Sequence, residues 1–306
     1  IPPENVVRSI CFDPGDSSLV YVAVSHAVFR GVSYGMPEFD GIYRSVDAGR
    51  SFFRIAGIPE GYDQFTEISL SKNGDKLFVS TLDSHGSKGG VFRLESPATG
   101  MAWKDITPIE GGFRTVNTSP HNNEVVMTAR GSYASLSYFF VSKDGGDSWI
   151  RKDQYEVHNI IPWHPDTYPG SAISRIAFDP VDPERIYFTD WYSVYRTNDW
   201  TADTILWSNK IANGHEEIVP SRILSAHPEN QAEALLYVGG ADISGLTIRD
   251  LHQFSSVPNW RRLAESDLLQ EVSGIDLCED NPDVVVACGG RGWDMETGGA
   301  AVSRDG

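Results

Sequence analysis

Aromatic side chains and carboxylates gather in a few irregular stretches of this chain. Tyr34, Tyr133, Trp163, Tyr168, Trp191, Tyr192 and Trp293 lie among Asp83, Asp190, Asp242 and Asp294. Flat rings beside hydrogen-bond acceptors suit sugars, which offer an apolar C–H face and a rim of hydroxyls. The same aromatics also suit packing between layers of strands, because buried Trp and Tyr are common in cores. The eight histidines form no HxH or HExxH pattern, and Cys11, Cys278 and Cys288 make no CxxC pair, so no metal site is expected. The glycines of "GGADISG" lack dinucleotide-binding spacing. No cofactor is therefore expected.

The elements that position these residues follow from an internal repeat. "ICFDPGDSSLVYVAV", "ISLSKNGDKLFVSTL", "VNTSPHNNEVVMTAR", "IAFDPVDPERIYFTD", "ILSAHPENQAEALLYVGG" and "IDLCEDNPDVVVACGG" share one plan: an apolar run, a turn rich in Pro, Asp and Asn, then a β-branched run. The plan returns roughly every 48–60 residues, the period of a propeller blade. A second element, the Asp-box, follows it as "SVDAGRSF" from Ser45 and "SKDGGDSW" from Ser142, and begins again as "SRDG" at Ser303. Its Ser, Asp and Gly are turn formers, and the aromatic Phe52 or Trp149 can pin the turn to the sheet, so the motif is scaffold. Each unit reads as four short antiparallel strands that must stack on neighbours to cover both faces.

This strand count fixes which loops share an end. The "DP" turns and the Asp-boxes fall together. The connections between second and third strands, and between blades, fall at the opposite end. These are the long, uneven stretches Ser25–Asp40, Leu82–Gly89, Ala129–Tyr138, Lys152–Ser171, Gly239–Gly245 and Gly289–Gly298, which carry the aromatics and aspartates. Binding residues collect on such loops.

A net charge of −17, from 25 basic and 42 acidic residues, argues against a nucleic-acid partner. No apolar run reaches the length of a membrane helix, and no membrane partner is expected.

The run "GHEEIVPSRILSAHPENQAEALLYVGGADISGLTIRDL", Gly214–Leu251, resembles glycoside hydrolase family 74, the two-propeller xyloglucanases and related endoglucanases. "GGVFRLESPATGMAWKDITP", "HNIIPWHPDTYPG", "RIYFTDWYSVYRTNDW" and "SGIDLCEDNPDVVVACGG" match it in family order. The resemblance implies endo-hydrolysis of a β-1,4-glucan or xyloglucan backbone with inversion, by a secreted protein. Inversion uses two carboxylates about 6.5–9.5 Å apart, one as general acid and one activating water. Asp242 stands where the family places its acid, although Ala241 and Ser244 replace glycines there and Leu246 replaces a phenylalanine. The family's base element, Asp-x-Gly-Gly-x-Tyr-Arg-Trp, is absent from the chain, which leaves Asp190 as a substitute base or a sugar-binding group. Glu216, Glu217, Trp163, Trp191, Tyr192, Tyr133 and Trp293 are the expected substrate-binding residues.

The expected fold is all-β, a β-propeller of four-stranded antiparallel blades with Asp-box repeats, in a tandem seven-bladed architecture. Residues 1–212 would be the last blades of a first propeller and 213–306 the first blades of a second, the remaining blades belonging to a longer chain. The alternative is a non-catalytic Asp-box propeller of the sortilin kind, binding carbohydrate or protein. A sialidase would need an arginine cluster on the loop face, where the long loops carry only Arg30, Arg130 and Arg291.

Overall fold

The computed structural model describes residues 4–29, 32–58, 64–83, 88–100, 102–132, 135–158, 173–190, 193–212, 219–225, 236–241, 244–248, 260–262, 269–291 and 297–305. They fall into two units, one of residues up to 212 and one from 219 onward. Among the described residues the regular structure is strands and two 3-10 turns.

Unit one holds four sheets. The first contains β1 (Val6–Phe12), β2 (Val20–Ser25), β5 (Gly41–Ser45) and β6 (Phe53–Arg54), with a small hairpin, β3 (Ala27–Phe29) and β4 (Val32–Tyr34), inserted between β2 and β5. The second runs β7 (Gln64–Leu70), β8 (Lys76–Leu82), β9 (Gly89–Glu95), β10 (Trp103–Asp105). The third runs β11 (Thr115–Thr118), β12 (Val126–Ser132), β13 (Ser135–Ser142), β14 (Ile150–Lys152). In the fourth, β15 (Tyr155–His158) precedes β16 (Arg175–Phe178), β17 (Ile186–Thr189), β18 (Val194–Thr197) and β19 (Ile205–Ser208). β15 pairs in parallel with β19 as a fifth, outer strand. The sequence reading has only a loop over Lys152–Ser171, because a four-residue strand lacks a periodic signature.

The two sets of turns do share an end. In each sheet of unit one, the turn between strands three and four donates a backbone hydrogen bond to the turn between strands one and two. The pairs are Ala48 to Ser18, Ser96 to Asp75, Gly145 to Glu124 and Trp200 to Glu184, at 2.8–3.0 Å. Side chains fold each turn locally. Asp13 Oδ1 accepts from the Gly15 and Asp16 N–H groups, and Asp179 Oδ1 from those of Val181 and Asp182. In the Asp-boxes, Ser142 Oγ donates to Asp144 and accepts from the Asp144 and Gly146 N–H groups, and Ser45 does the same with Asp47 and Gly49. Thr197 and Asp199 make a related turn in the fourth sheet, and Ser303 and Asp305 begin one at the end of the chain. Gly146 has φ +94°, and a Cβ there would lie 2.5 Å from Ile106 Cδ1. Ser142 is buried, so Ser142→Ala strands two N–H groups and is expected to cost about 1–3 kcal/mol, read from the urea midpoint.

Packing between sheets explains the apolar runs. In β8, Leu77 and Val79 face the first sheet, joining Tyr21, Ile42 and Phe65, while Phe78 faces the third, joining Phe113, Val116 and Phe140. Met127 and Ala129 of β12 face the fourth sheet, against Phe188, Tyr195 and the fully buried Trp207. Interior sheets are thus covered on both faces, as radial stacking demands.

In the second, third and fourth sheets the inner edge strand, β7, β11 or β16, has N–H groups that need partners. They find them on the preceding sheet's inner strand, β1, β7 or β11. Ile68 donates to Ser9 Oγ, Val116 to Glu67, Thr118 to Ser69 Oγ, Ile176 to Thr115 Oγ1 and Phe178 to Asn117 Oδ1. These inner strands therefore line a common axis.

Unit two contains a sheet of β20 (Pro220–Ser225), β21 (Leu236–Gly240), β22 (Gly245–Ile248) and β23 (Trp260–Arg262), and a sheet of β24 (Glu271–Cys278), β25 (Asn281–Gly290) and β26 (Gly298–Ser303). Tyr237 and Val285 pack between them with Leu224, Ile275 and Leu277, and the Ser221 hydroxyl donates to the Val272 carbonyl.

Candidate functional site

The inner strands of unit one begin at the end opposite the Asp-boxes, and their first residues meet at the axis. Arg175, opening β16, spans all four sheets there. Its Nη2 donates to the carbonyls of Arg8 and Thr66, at 3.3 and 3.0 Å, and its Nη1 to those of Arg114 and Ser174. Its Nε lies 3.9 Å from Glu67 Oε1. The buried Glu67 carboxyl also accepts from the Thr115 hydroxyl and the Val116 N–H. Burial pushes its pKa up to about 7 even though Arg175 and these hydrogen bonds pull the other way. Burial likewise lowers Arg8 and Arg114, with Arg175 adding to it. The arginines the loops lack thus stand at strand starts, and Arg175 is spent on carbonyls.

Nearby, at the top of the first sheet, His26 and Asp40 form a buried pair. Their Nδ1 and Oδ2 are 2.5 Å apart, while Asp40 Oδ1 accepts from the His26 N–H and from Asn5 Nδ2. Asn5 also bonds the Met36 main chain through both side-chain atoms, which ties down the Ser25–Asp40 excursion.

Asp190 lies between β17 and β18, a connection at this same end. Its carboxylate accepts from the Ser193 N–H at 2.9 Å, and its own N–H donates to the Ser193 carbonyl. It is half-buried and shapes the turn. Asp242 lies outside the described residues, but its frame is described. Ala241 donates to the Val219 carbonyl, and Ser244 donates to that of Gln270. The buried Ser244 has φ +66°, a left-handed conformation that favours glycine and costs a serine about 1–2 kcal/mol. Gly245 has φ +127°, and a Cβ there would lie 2.1 Å from the Val238 carbonyl. Leu246 fills the core where the family has phenylalanine.

Glu216, Glu217, Trp163, Trp191, Tyr192, Tyr133 and Trp293 all lie outside the described residues. Sequence reasoning missed Glu67, Arg175 and the His26–Asp40 pair. A signal existed: "VRS", "TEI", "RTV" and "SRI" place a charged residue at the start of four successive first strands. Among the described residues no cluster of three or more His, Cys, Asp or Glu is placed to hold a metal ion, and no helix is long and apolar enough to cross a membrane.

Radial four-stranded blades joined by Asp-box turns define the class, an all-β propeller. In sequence the chain is similar to proteins named as xyloglucanases, and in fold to solved glycoside hydrolase family 74 structures. It is 27% identical over 289 residues to a xyloglucanase of a Paenibacillus species, covering 81% of this chain and 26% of that protein. It is 23% identical to the oligoxyloglucan-reducing end-specific xyloglucanase of Emericella nidulans, covering 97% of this chain and 44% of that protein. The crystal structure of the GH74 xyloglucanase from Xanthomonas campestris superposes with a TM-score of 0.74 at 22% identity, over 97% of this chain and 42% of that one. The chain thus spans less than half the length of these relatives. No family model matches it.

Proposed function

We propose that this chain is part of a longer, secreted polypeptide that hydrolyses xyloglucan, or a closely related β-1,4-glucan, with inversion. Residues 1–212 are the last blades of a first propeller and 213–306 the first of a second. Asp242 is the general acid, and Asp190 is the candidate second carboxylate. Trp163, Trp191, Tyr192, Tyr133, Trp293, Glu216 and Glu217 contact the glucan. The observation that carries this reading is the likeness to two named xyloglucanases over 81% and 97% of the chain. The test is to incubate the parent polypeptide with xyloglucan and follow the first products by proton NMR. The expected result is release of oligosaccharides whose new reducing ends appear first as the α-anomer, the signature of inversion at a β-linkage. Absence of cleavage, or initial β-anomer, rejects it.

A further inference from the structure

The second Asp-box borders a groove that scaffolding does not require. It has a volume of about 570 Å³, within the range of small-molecule sites, roughly 300–1,000 Å³. Trp149, Ile106 and Ile109 form an apolar wall, with Lys104, Asp105, Glu110 and Asp147 along the rim. Trp149 is fixed, because its Nε1 donates to the Ile106 carbonyl at 2.6 Å, and it is only half-buried. Its ring packs on the core between the second and third sheets, as that of Phe52 packs on the first sheet. Phe52 packs on Val22, Val24 and Tyr43, and Trp200 is 6% exposed, with its Nε1 held by the Pro183 carbonyl.

The rim also has hydrogen-bonding capacity to spare. Asp147 is paired with Lys104 and Arg93, and Asp105 Oδ1 holds Thr107. Glu110 is exposed and makes no hydrogen bond or ion pair with another described residue. The three carboxylates outnumber the two cations beside them, Lys104 and Arg93, and so disfavour an anion, whereas their oxygens accept from hydroxyls. A rigid indole offers a face for the C–H side of a sugar ring.

We propose that this groove binds a short, neutral glucan oligosaccharide, as an accessory site distinct from the residues assigned to cleavage. The choice of glucan rests on the reading above; the groove's neutral, hydroxyl-rich ligand class does not.

The test uses the whole chain, labelled with nitrogen-15, and the indole N–H signal of Trp149, identified by its loss in Trp149→Phe. Cellotetraose is expected to shift this signal saturably, whereas tetragalacturonate and tetralysine leave it in place. Glu110→Gln, a surface change that leaves the other indole signals unmoved, is expected to weaken binding about three- to tenfold, the range of a single hydrogen bond. A Trp149 signal unmoved by cellotetraose overturns the site, as does unaltered affinity in Glu110→Gln. An equal response to tetralysine assigns the groove to basic peptides and overturns the glucan assignment. Failure here with xyloglucan cleavage by the parent intact removes only the groove. A saturable shift with no cleavage by the parent removes only the reaction.

Discussion

Replacing Asp242 by alanine in the parent polypeptide is expected to lower the rate of xyloglucan cleavage by about 10²–10⁴-fold, the usual worth of a positioned proton donor. The loss should fall on kcat, because a general acid acts on the leaving oxygen rather than on sugar rings further along the glucan. An aryl glucoside with an acidic phenol leaving group needs little protonation, so the variant should retain far more of its activity on that substrate. Equal losses on both substrates would assign Asp242 to binding or to the turn rather than to proton transfer. Asp190→Asn separates the second role. The amide oxygen can still accept the Ser193 N–H and so preserve the turn, while the charge that would activate water is gone. Full activity in that variant places the base elsewhere.

The blades were legible because their signals are local. An aspartate or serine two residues before its backbone donor, a glycine at positive φ, and an alternating apolar run each occupy a few consecutive positions. The Asp-box geometry at Ser45 and Ser142 follows from those residue types alone. The axial contacts were not legible, because the partners are distant in sequence and several are backbone carbonyls. Arg175 meets Arg8 and Thr66, 167 and 109 residues away, through atoms every residue possesses. Nothing in the type of residue 8 or 66 announces that contact. The candidate site divides the same way. Its residue types and loops could be read from the repeat, but their mutual distances depend on how blades are placed around the axis. The residue at position 244 shows the intermediate case. Its departure from the family glycine is visible in the sequence, and its consequence, a serine at φ +66°, only in the structure.

Stability of the chain is expected to fall as pH rises from about 4.5 to about 7, and Glu67 is the cause. Its carboxyl titrates near 7 when folded and near its ordinary value of 4.5 when unfolded. Between these values the folded chain holds a proton that the unfolded chain releases, so the folded state loses ground by up to about 1.4 kcal/mol per pH unit. The contribution is fully present below the unfolded value and gone above the folded one, a total of about 3 kcal/mol. Hydroxyls and an amide do the same bonding work at Ser9, Ser69, Thr115 and Asn117, so a carboxyl is not needed to satisfy the Val116 N–H. Glu67→Gln keeps an acceptor for both Thr115 and Val116 and cannot ionise. Urea midpoints measured from pH 4 to 8 should therefore lack this fall in the variant, so that the difference between the two proteins changes by about 3 kcal/mol across the window in favour of the variant. Asp144, held near 2 by its Asp-box hydroxyls, works in the opposite sense and only at lower pH. Parallel profiles for the two proteins would mean that Glu67 is already ionised when folded. Arg175→Met provides the complementary case. Removing the guanidinium that favours the carboxylate raises the folded pKa further, so the fall in stability should extend beyond pH 7.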